Sequence, residues 1–299
     1  MSLELPKRTR RVSSRLVPVA LMATAALALS GCSAEDKEQI KRLAMPVPAT
    51  EEAPHIYDLW QWAWLAAMVV GVIVWGLIFY AMIRFRRRDP NEIPVQTRYN
   101  LPIEIFYTIA PVVMVVVFFF FTVKAQNGSY HNYDKPDRVI TVVGQQWSWT
   151  FNYNLDYDKD SNEYVAAGGD EVLYDAGTTA DRPTLYLVKG EKTQFNLYSP
   201  DVIHSFWVPS FLFKLDVVPG RNNTFGITPT KSGTFEGRCA ELCGAYHSRM
   251  LFDVKVVDKD EFDKKMAELK EQGNTGPALG GADANVQAGL KSADEGSHQ

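Results

Sequence analysis

Cys239-Ala240-Glu241-Leu242-Cys243-Gly244-Ala245-Tyr246-His247-Ser248-Arg249-Met250 joins two β-rich runs, residues 234–238 and 251–257. Two thiols, an imidazole and a thioether thus fall within twelve residues on an inter-strand loop. Upstream, the same kind of run recurs at 139–143, 147–153, 185–188, 193–198 and 224–228, broken by Gly144, Lys189-Gly190, Pro219-Gly220 and Lys231-Ser232-Gly233. Short strands at this spacing predict an all-β antiparallel sandwich or barrel with Greek-key links, spanning residues 124–257. Residues 154–183 interrupt the pattern with a polar stretch rich in Asp and Glu, which reads as a long insertion loop. Residues 258–272 predict a short closing helix, and 273–299, rich in Gly, Ala, Ser and Asp, a disordered tail.

The loop's chemistry is that of a soft metal site. Thiolate, thioether and imidazole together select copper over magnesium or calcium. His204 lies in a further inter-strand segment, Asp201-Val202-Ile203-His204-Ser205. A blue-copper site needs one cysteine and two histidines, so a second cysteine is surplus. Two thiolates can instead bridge two copper ions, leaving one histidine for each, an arrangement suited to electron transfer rather than bond-making. A disulfide between Cys239 and Cys243 is the plain alternative, though it leaves His247 and Met250 unexplained. Zinc is another, but a thioether is a poor zinc ligand.

N-terminal to this domain the chain reads as membrane-anchored. Residues 59–83 contain no charge, open on Trp60, Trp62 and Trp64, and close on Arg84, Arg86, Arg87 and Arg88. At 1.5 Å per residue such a run exceeds the roughly 30 Å hydrocarbon core, with interfacial tryptophans at one end. A second span covers 105–123, with Pro102 and Glu104 suited to a helix start. The pair forms a two-helix transmembrane hairpin. Its connecting segment, 84–104, holds five arginines against three acids, whereas 32–58 holds three basic and six acidic side chains. The positive-inside rule therefore puts the loop in the cytoplasm and both chain ends outside a bacterial plasma membrane. Residues 1–31 have the build of a cleaved signal peptide, and Leu29-Ser30-Gly31-Cys32 resembles a lipobox, which implies a lipid on Cys32.

Charge and histidine usage narrow the function. Residues 1–31 carry a net +4, residues 32–123 carry −1 and residues 124–299 carry −7. An acidic external half argues against nucleic acid and for a basic protein partner. The five histidines, His55, His131, His204, His247 and His298, all lie outside the two spans, so this chain alone supplies no axial ligands for a membrane-embedded haem. Any oxygen chemistry belongs to a partner.

The pattern C-x-E-x-C-x-x-x-H-x-x-M, with Val202-Ile203-His204-Ser205-Phe206-Trp207-Val208-Pro209 upstream, resembles the copper domain of subunit II of the haem-copper cytochrome c oxidases. The likeness extends to Pro102–Pro111 in the second span, to 144–149 and to 216–221. It implies a cupredoxin fold in which Cys239 and Cys243 bridge a dinuclear copper centre (CuA). His204 and Met250 would complete one ion; His247 and the backbone carbonyl of Glu241 would complete the other. It further implies that the Glu241 carboxylate reaches a magnesium or manganese site shared with the haem-bearing subunit I, where the bland reading is a solvated loop acid. Trp147 is implied as the residue that receives electrons from cytochrome c, against a plain cross-strand aromatic; Gln145 and Ser148 depart from the family's G-H-Q-W-Y-W. Glu104 is implied at the mouth of a proton pathway, against a helix-start charge. Partners are then subunit I, other oxidase subunits, the bilayer, and a soluble or membrane-bound cytochrome c. The acidic stretch 154–183 either steers a basic donor or makes a fixed contact with a membrane-bound one. Two rivals stay open: a copper-delivery or thiol-redox membrane protein, and the copper subunit of another haem-copper reductase such as a nitric oxide reductase.

Overall fold

The computed structural model describes residues 33–89, 91 and 93–280. The stretch 1–31 read as a signal peptide, Cys32 of the lipobox-like motif and residues 281–299 lie outside the described residues. A first unit, ending at Pro46, contributes α1, Ala34–Lys41. Ser33 caps it reciprocally: its Oγ accepts the Asp36 amide at 3.1 Å, while the Asp36 carboxylate accepts the Ser33 amide at 2.9 Å.

The second unit begins at Val47 and holds the hairpin and the β domain. Helices α2, Ala53–Arg84, and α3, Leu101–Ser129, are 32 and 29 residues long, each with a stretch of mean hydropathy 2.4. Both outrun the predicted spans 59–83 and 105–123. The charge-free stretch marks only what must sit in hydrocarbon, whereas the caps set where a helix begins. Pro54 sits in the first turn of α2, and Asn100 Oδ1 accepts the Ile103 amide at the start of α3. The start of α2 and the end of α3 meet closely, where Gly128 faces the His55 ring. A Cβ on Gly128 would fall 2.6 Å from that ring.

Among the described residues twelve strands follow, five more than the turn pattern indicates. One sheet has the order β10-β7-β1-β2-β5 and the other β6-β12-β11-β8-β9. Their ranges are β1 Arg138–Gln145, β2 Ser148–Tyr153, β5 Leu173–Ala176, β6 Thr184–Val188, β7 Thr193–Tyr198, β8 His204–Val208, β9 Phe213–Val217, β10 Asn223–Ile227, β11 Gly233–Cys239 and β12 Leu251–Val257. The sandwich is mixed and not antiparallel throughout, because β1 pairs β7 and β6 pairs β12 in parallel. Side-chain alternation reveals that a strand exists, but its partner and direction depend on where long crossover connections bring distant segments.

Side chains alternate as a sandwich requires. Ile140, Val142, Trp149, Phe151, Phe195 and Leu197 point into a core completed by Phe206, Phe225 and Phe252. Phe195 stacks on Phe225 at 4.9 Å and Phe206 on Phe252 at 5.0 Å. Each fully buried aromatic contributes about 1.5–3 kcal/mol, so the domain needs no disulfide.

The outward positions Thr141, Thr150, Asn152 and Asn196 are buried as well, and their covers correct two expectations. The stretch 154–183 is not a loop: it folds into the hairpin β3, Leu155–Asp158, with β4, Glu163–Ala166, and then into edge strand β5. The hairpin lies over β1 and β7, with Thr141 Oγ1 donating to the Leu155 carbonyl and Asn196 Nδ2 to Asp156. Residues 273–280 are likewise held: Thr275 pairs with Leu173, and the Asn152 amide bonds both backbone groups of Ala278 at 2.7 and 3.0 Å. Composition marked both stretches as polar, but polar residues that satisfy buried Thr and Asn are cover, not solvent-facing loop. The closing helix α4, Lys259–Glu271, follows the expected bounds, capped by Asp258 and burying Phe262 and Leu269.

Both ends of the hairpin are tied to the sandwich. Before α2, Ala49 donates to the Ser210 carbonyl and Glu51 to that of Thr228. After α3, the Gly226 amide donates to the His131 carbonyl, and Tyr133 Oη donates to the buried Glu52 carboxylate at 2.7 Å.

Candidate metal centre

Strand pairing assembles the site. Cys239 ends β11 and pairs with Phe206 of β8, while the Ala240 amide donates to the Ser205 carbonyl at 3.0 Å. His204 therefore sits beside Cys239 as the first residue of β8, not in an inter-strand segment. The loop closes where the Cys239 amide donates to the Met250 carbonyl, and a single 3-10 turn, His247–Arg249, carries the second imidazole. Gly244, at φ +119°, lets the backbone pass under Trp147 and Gln146; a Cβ there would lie 3.1 Å from the indole nitrogen.

Cys239 and Cys243 sulfurs lie 3.9 Å apart. Two metal–thiolate bonds of about 2.3 Å span at most about 4.6 Å, so both sulfurs can bind one ion, whereas a disulfide requires about 2.05 Å. His204 Nδ1 is 3.9 Å from the Cys239 sulfur, and His247 Nδ1 is 3.6 Å from that of Cys243. Met250 Sδ stands 3.7 Å from Cys243 Sγ, and the Glu241 carbonyl oxygen 3.2 Å from Cys239 Sγ. One imidazole thus approaches each thiol, with a thioether and a carbonyl beside them. His204 and Met250 are fully buried and both cysteines nearly so, while His247 is half-buried toward the surface.

Electrostatics favour a cation here. Burial opposes ionisation of the Cys239 thiol, but hydrogen bonds from His204 and the surrounding backbone outweigh it and lower the thiol's pKa. Cys243 is pushed up by burial and then by the Cys239 charge. A bound cation removes that antagonism, since a coordinating thiol is deprotonated outright. Burial likewise disfavours a charged His204, yet the Asp201 carboxylate, 2.9 Å from Nε2, together with Cys239 raises its pKa. With Asp201 on Nε2, His204 turns Nδ1 toward the thiols, the outer-shell pairing typical of metal-binding histidine.

Trp147 joins the group: its Nε1–H donates to the Cys243 carbonyl at 3.1 Å, and Gln146 Nε2 donates to the same oxygen at 2.7 Å. Glu104 does not join. It lies in the first turn of α3 and accepts the Asn100 amide at 2.9 Å, as a helix-start acid does. The Glu241 side chain points to solvent. In the sequence, Asp201 only opens the segment that carries His204 and Gln146 only falls within 144–149, with no role attached to either. The placement of Asp201 three residues before His204 was a usable signal; the reach of Gln146 across to Cys243 had none.

A membrane-anchored mixed β-sandwich with a thiol, imidazole and thioether cluster at one end is a class of redox-metal domain. Two family models match the chain: the periplasmic domain of cytochrome c oxidase subunit II over residues 138–257, and its transmembrane domain over 38–124. The probable cytochrome c oxidase subunit 2 of Streptomyces avermitilis is 46% identical over 295 residues, covering 89% of this chain and 91% of that one. Its counterpart in Streptomyces coelicolor is 45% identical over 292 residues, with the same coverage. The crystal structure of the periplasmic domain of Bradyrhizobium japonicum oxidase subunit II is 28% identical, covers 46% of this chain and 96% of that one, and has a TM-score of 0.38. The chain belongs to the cytochrome c oxidase subunit II family, and so is a subunit of a membrane oxidoreductase complex.

Proposed function

We propose that this chain holds a dinuclear copper centre bridged by Cys239 and Cys243, with His204 and Met250 on one ion and His247 and the Glu241 carbonyl on the other. The observation that carries the reading is the pair of sulfurs 3.9 Å apart with an imidazole nitrogen 3.9 Å and 3.6 Å from them on either side. When bound, such a centre supplies one-electron transfer with the charge shared by two metals. This chain's residues do the rest. The strand pairing of β8 and β11 fixes His204 and Cys239 against each other, so the cage keeps its shape whichever charge it holds. Asp201 orients His204, Trp149 Nε1 donates to the Met250 carbonyl at 3.3 Å, and the buried core excludes water. Trp147 receives the electron from cytochrome c and lies one hydrogen bond from the Cys243 backbone. The acceptor is haem in subunit I, where oxygen is reduced and protons are pumped.

Several assignments extend this reading. The copper domain faces the outside of a bacterial plasma membrane, α2 and α3 pack on subunit I, and the 84–104 connection is cytoplasmic. Glu104 stands at the cytoplasmic mouth of a proton path, and the exposed Glu241 carboxylate reaches a magnesium or manganese ion at the subunit I border. Cys32 carries a lipid. The rival thiol-redox reading has less support, because the cysteines sit on a β-sandwich without a thioredoxin-like α/β surround and their neighbours are metal donors. Electron paramagnetic resonance of the intact oxidase tests the centre. Hyperfine splitting from two equivalent copper nuclei is expected; a single-nucleus pattern would overturn it.

A further inference from the structure

Beyond Trp147, the loop presents a second aromatic. Tyr246 is 47% exposed and its ring meets the Trp147 ring edge-on, centroids 5.0 Å apart at 83°. It is held by the 3-10 turn that fixes His247, where the Arg249 amide donates to the Tyr246 carbonyl at 2.9 Å, and the Arg249 guanidinium lies 6.0 Å from its ring. Trp147 is only half-buried, and Tyr246 covers part of it. The adjoining segment carries exposed Val202 and Ile203 and is tied to the same spot, because the Gln146 amide donates to Asp201 at 2.7 Å. An exposed aromatic thus lies one ring contact and one hydrogen bond from Cys243, with exposed apolar Val202 and Ile203 on the segment tied to Gln146. Exposed tyrosines in such positions supply large contact area at low conformational-entropy cost, and aromatic anchors dominate interface energetics.

We propose that Tyr246 is the docking contact for the electron donor, a c-type cytochrome presenting an exposed haem edge rimmed by apolar surface, and that its ring sets the donor against Trp147. The inference rests on the reading of Trp147 as electron acceptor. Its electron balance is simple: the donor's ferrous haem becomes ferric, one electron reaches the centre, and Tyr246 is neither oxidised nor deprotonated.

The test uses the intact oxidase with a soluble monohaem cytochrome c and, separately, hexaammineruthenium(II), a small reductant that needs no protein contact. Tyr246→Ala is expected to raise the cytochrome c Kd about tenfold, the size of one good contact, while reduction by hexaammineruthenium(II) keeps its rate. Tyr246→Phe, which retains the ring, restores the Kd. An unchanged Kd in Tyr246→Ala overturns the proposal, as does a matching slowdown with the ruthenium reductant, which would mean a distorted metal loop. Trp147→Phe separates the two readings. Slower electron transfer within the bound complex at unchanged Kd supports Trp147 as acceptor; wild-type transfer there removes that role and with it the reason for Tyr246's placement.

Discussion

Asp201 binds the imidazole nitrogen of His204 that faces away from the thiols, and the buried pair is what aims the other nitrogen at Cys239. Asp201→Asn is expected to weaken copper binding by about 10–100-fold, the usual cost of losing such a partner, in a competition titration with a copper chelator. Unchanged affinity would mean that packing alone orients the ring. Cys239→Ser or Cys243→Ser should abolish the two-copper resonance signal and electron transfer from cytochrome c; normal turnover in either contradicts the centre. Met250→Leu removes the softest neutral donor and fills similar space. Copper should be retained with a shifted reduction potential, and a potential equal to wild type would count against Met250 as a ligand.

At the scale of elements, the hairpin of β3 and β4 has two jobs. Its base covers buried Thr141 and Asn196, and its Tyr164 ring meets Tyr198, three residues from Asp201, at 5.4 Å. That contact directs the tip, with Asp158, Asp160 and Glu163, toward the metal end of the sandwich. If the tip steers a basic donor, cytochrome c oxidation will fall with added salt. The triple change Asp158→Asn, Asp160→Asn, Glu163→Gln will then flatten the salt dependence without altering the rate at high salt. Identical salt profiles would end the steering idea. Helix α4 closes the far end, where Leu269 is 1% exposed. Leu269→Ala should cost about 2–5 kcal/mol in denaturant unfolding.

Over the whole molecule, what matters is how the hairpin presents the sandwich. Glu52, 4% exposed, accepts Tyr133 Oη and the Thr228 amide, bridging the start of α2, the segment after α3 and the end of β10. Burial raises the pKa of the Tyr133 phenol well above its ordinary value, so it remains a donor at any physiological pH. Glu52→Ala takes the acceptor from the buried Thr228 amide and leaves Tyr133 Oη with Thr228 Oγ1, at 2.8 Å, as its remaining side-chain partner, a loss of about 1–3 kcal/mol, and loosens the sandwich on its stem. Hydrogen exchange should quicken at Thr228 and Tyr133 while the copper spectrum stays intact; protection equal to wild type would show that the backbone pairing of residues 49–51 suffices.

Much of the chain was legible in one dimension. Charge-free length against bilayer thickness and the grouping of soft donors in twelve residues are local quantities, and they sufficed for the two long apolar helices, the β class and the neighbourhood of Cys239 and Cys243. Non-local pairing decided the rest. The parallel partners of β1 and β12, the covering roles of 155–166 and 273–280, and the reach of Asp201 and Gln146 into the site depend on segments far apart in the chain. A polar residue reads the same in sequence whether water or a buried threonine satisfies it. Only the folded arrangement distinguishes the two, because the hydrogen-bond partner is chosen by tertiary contact and not by neighbouring residues.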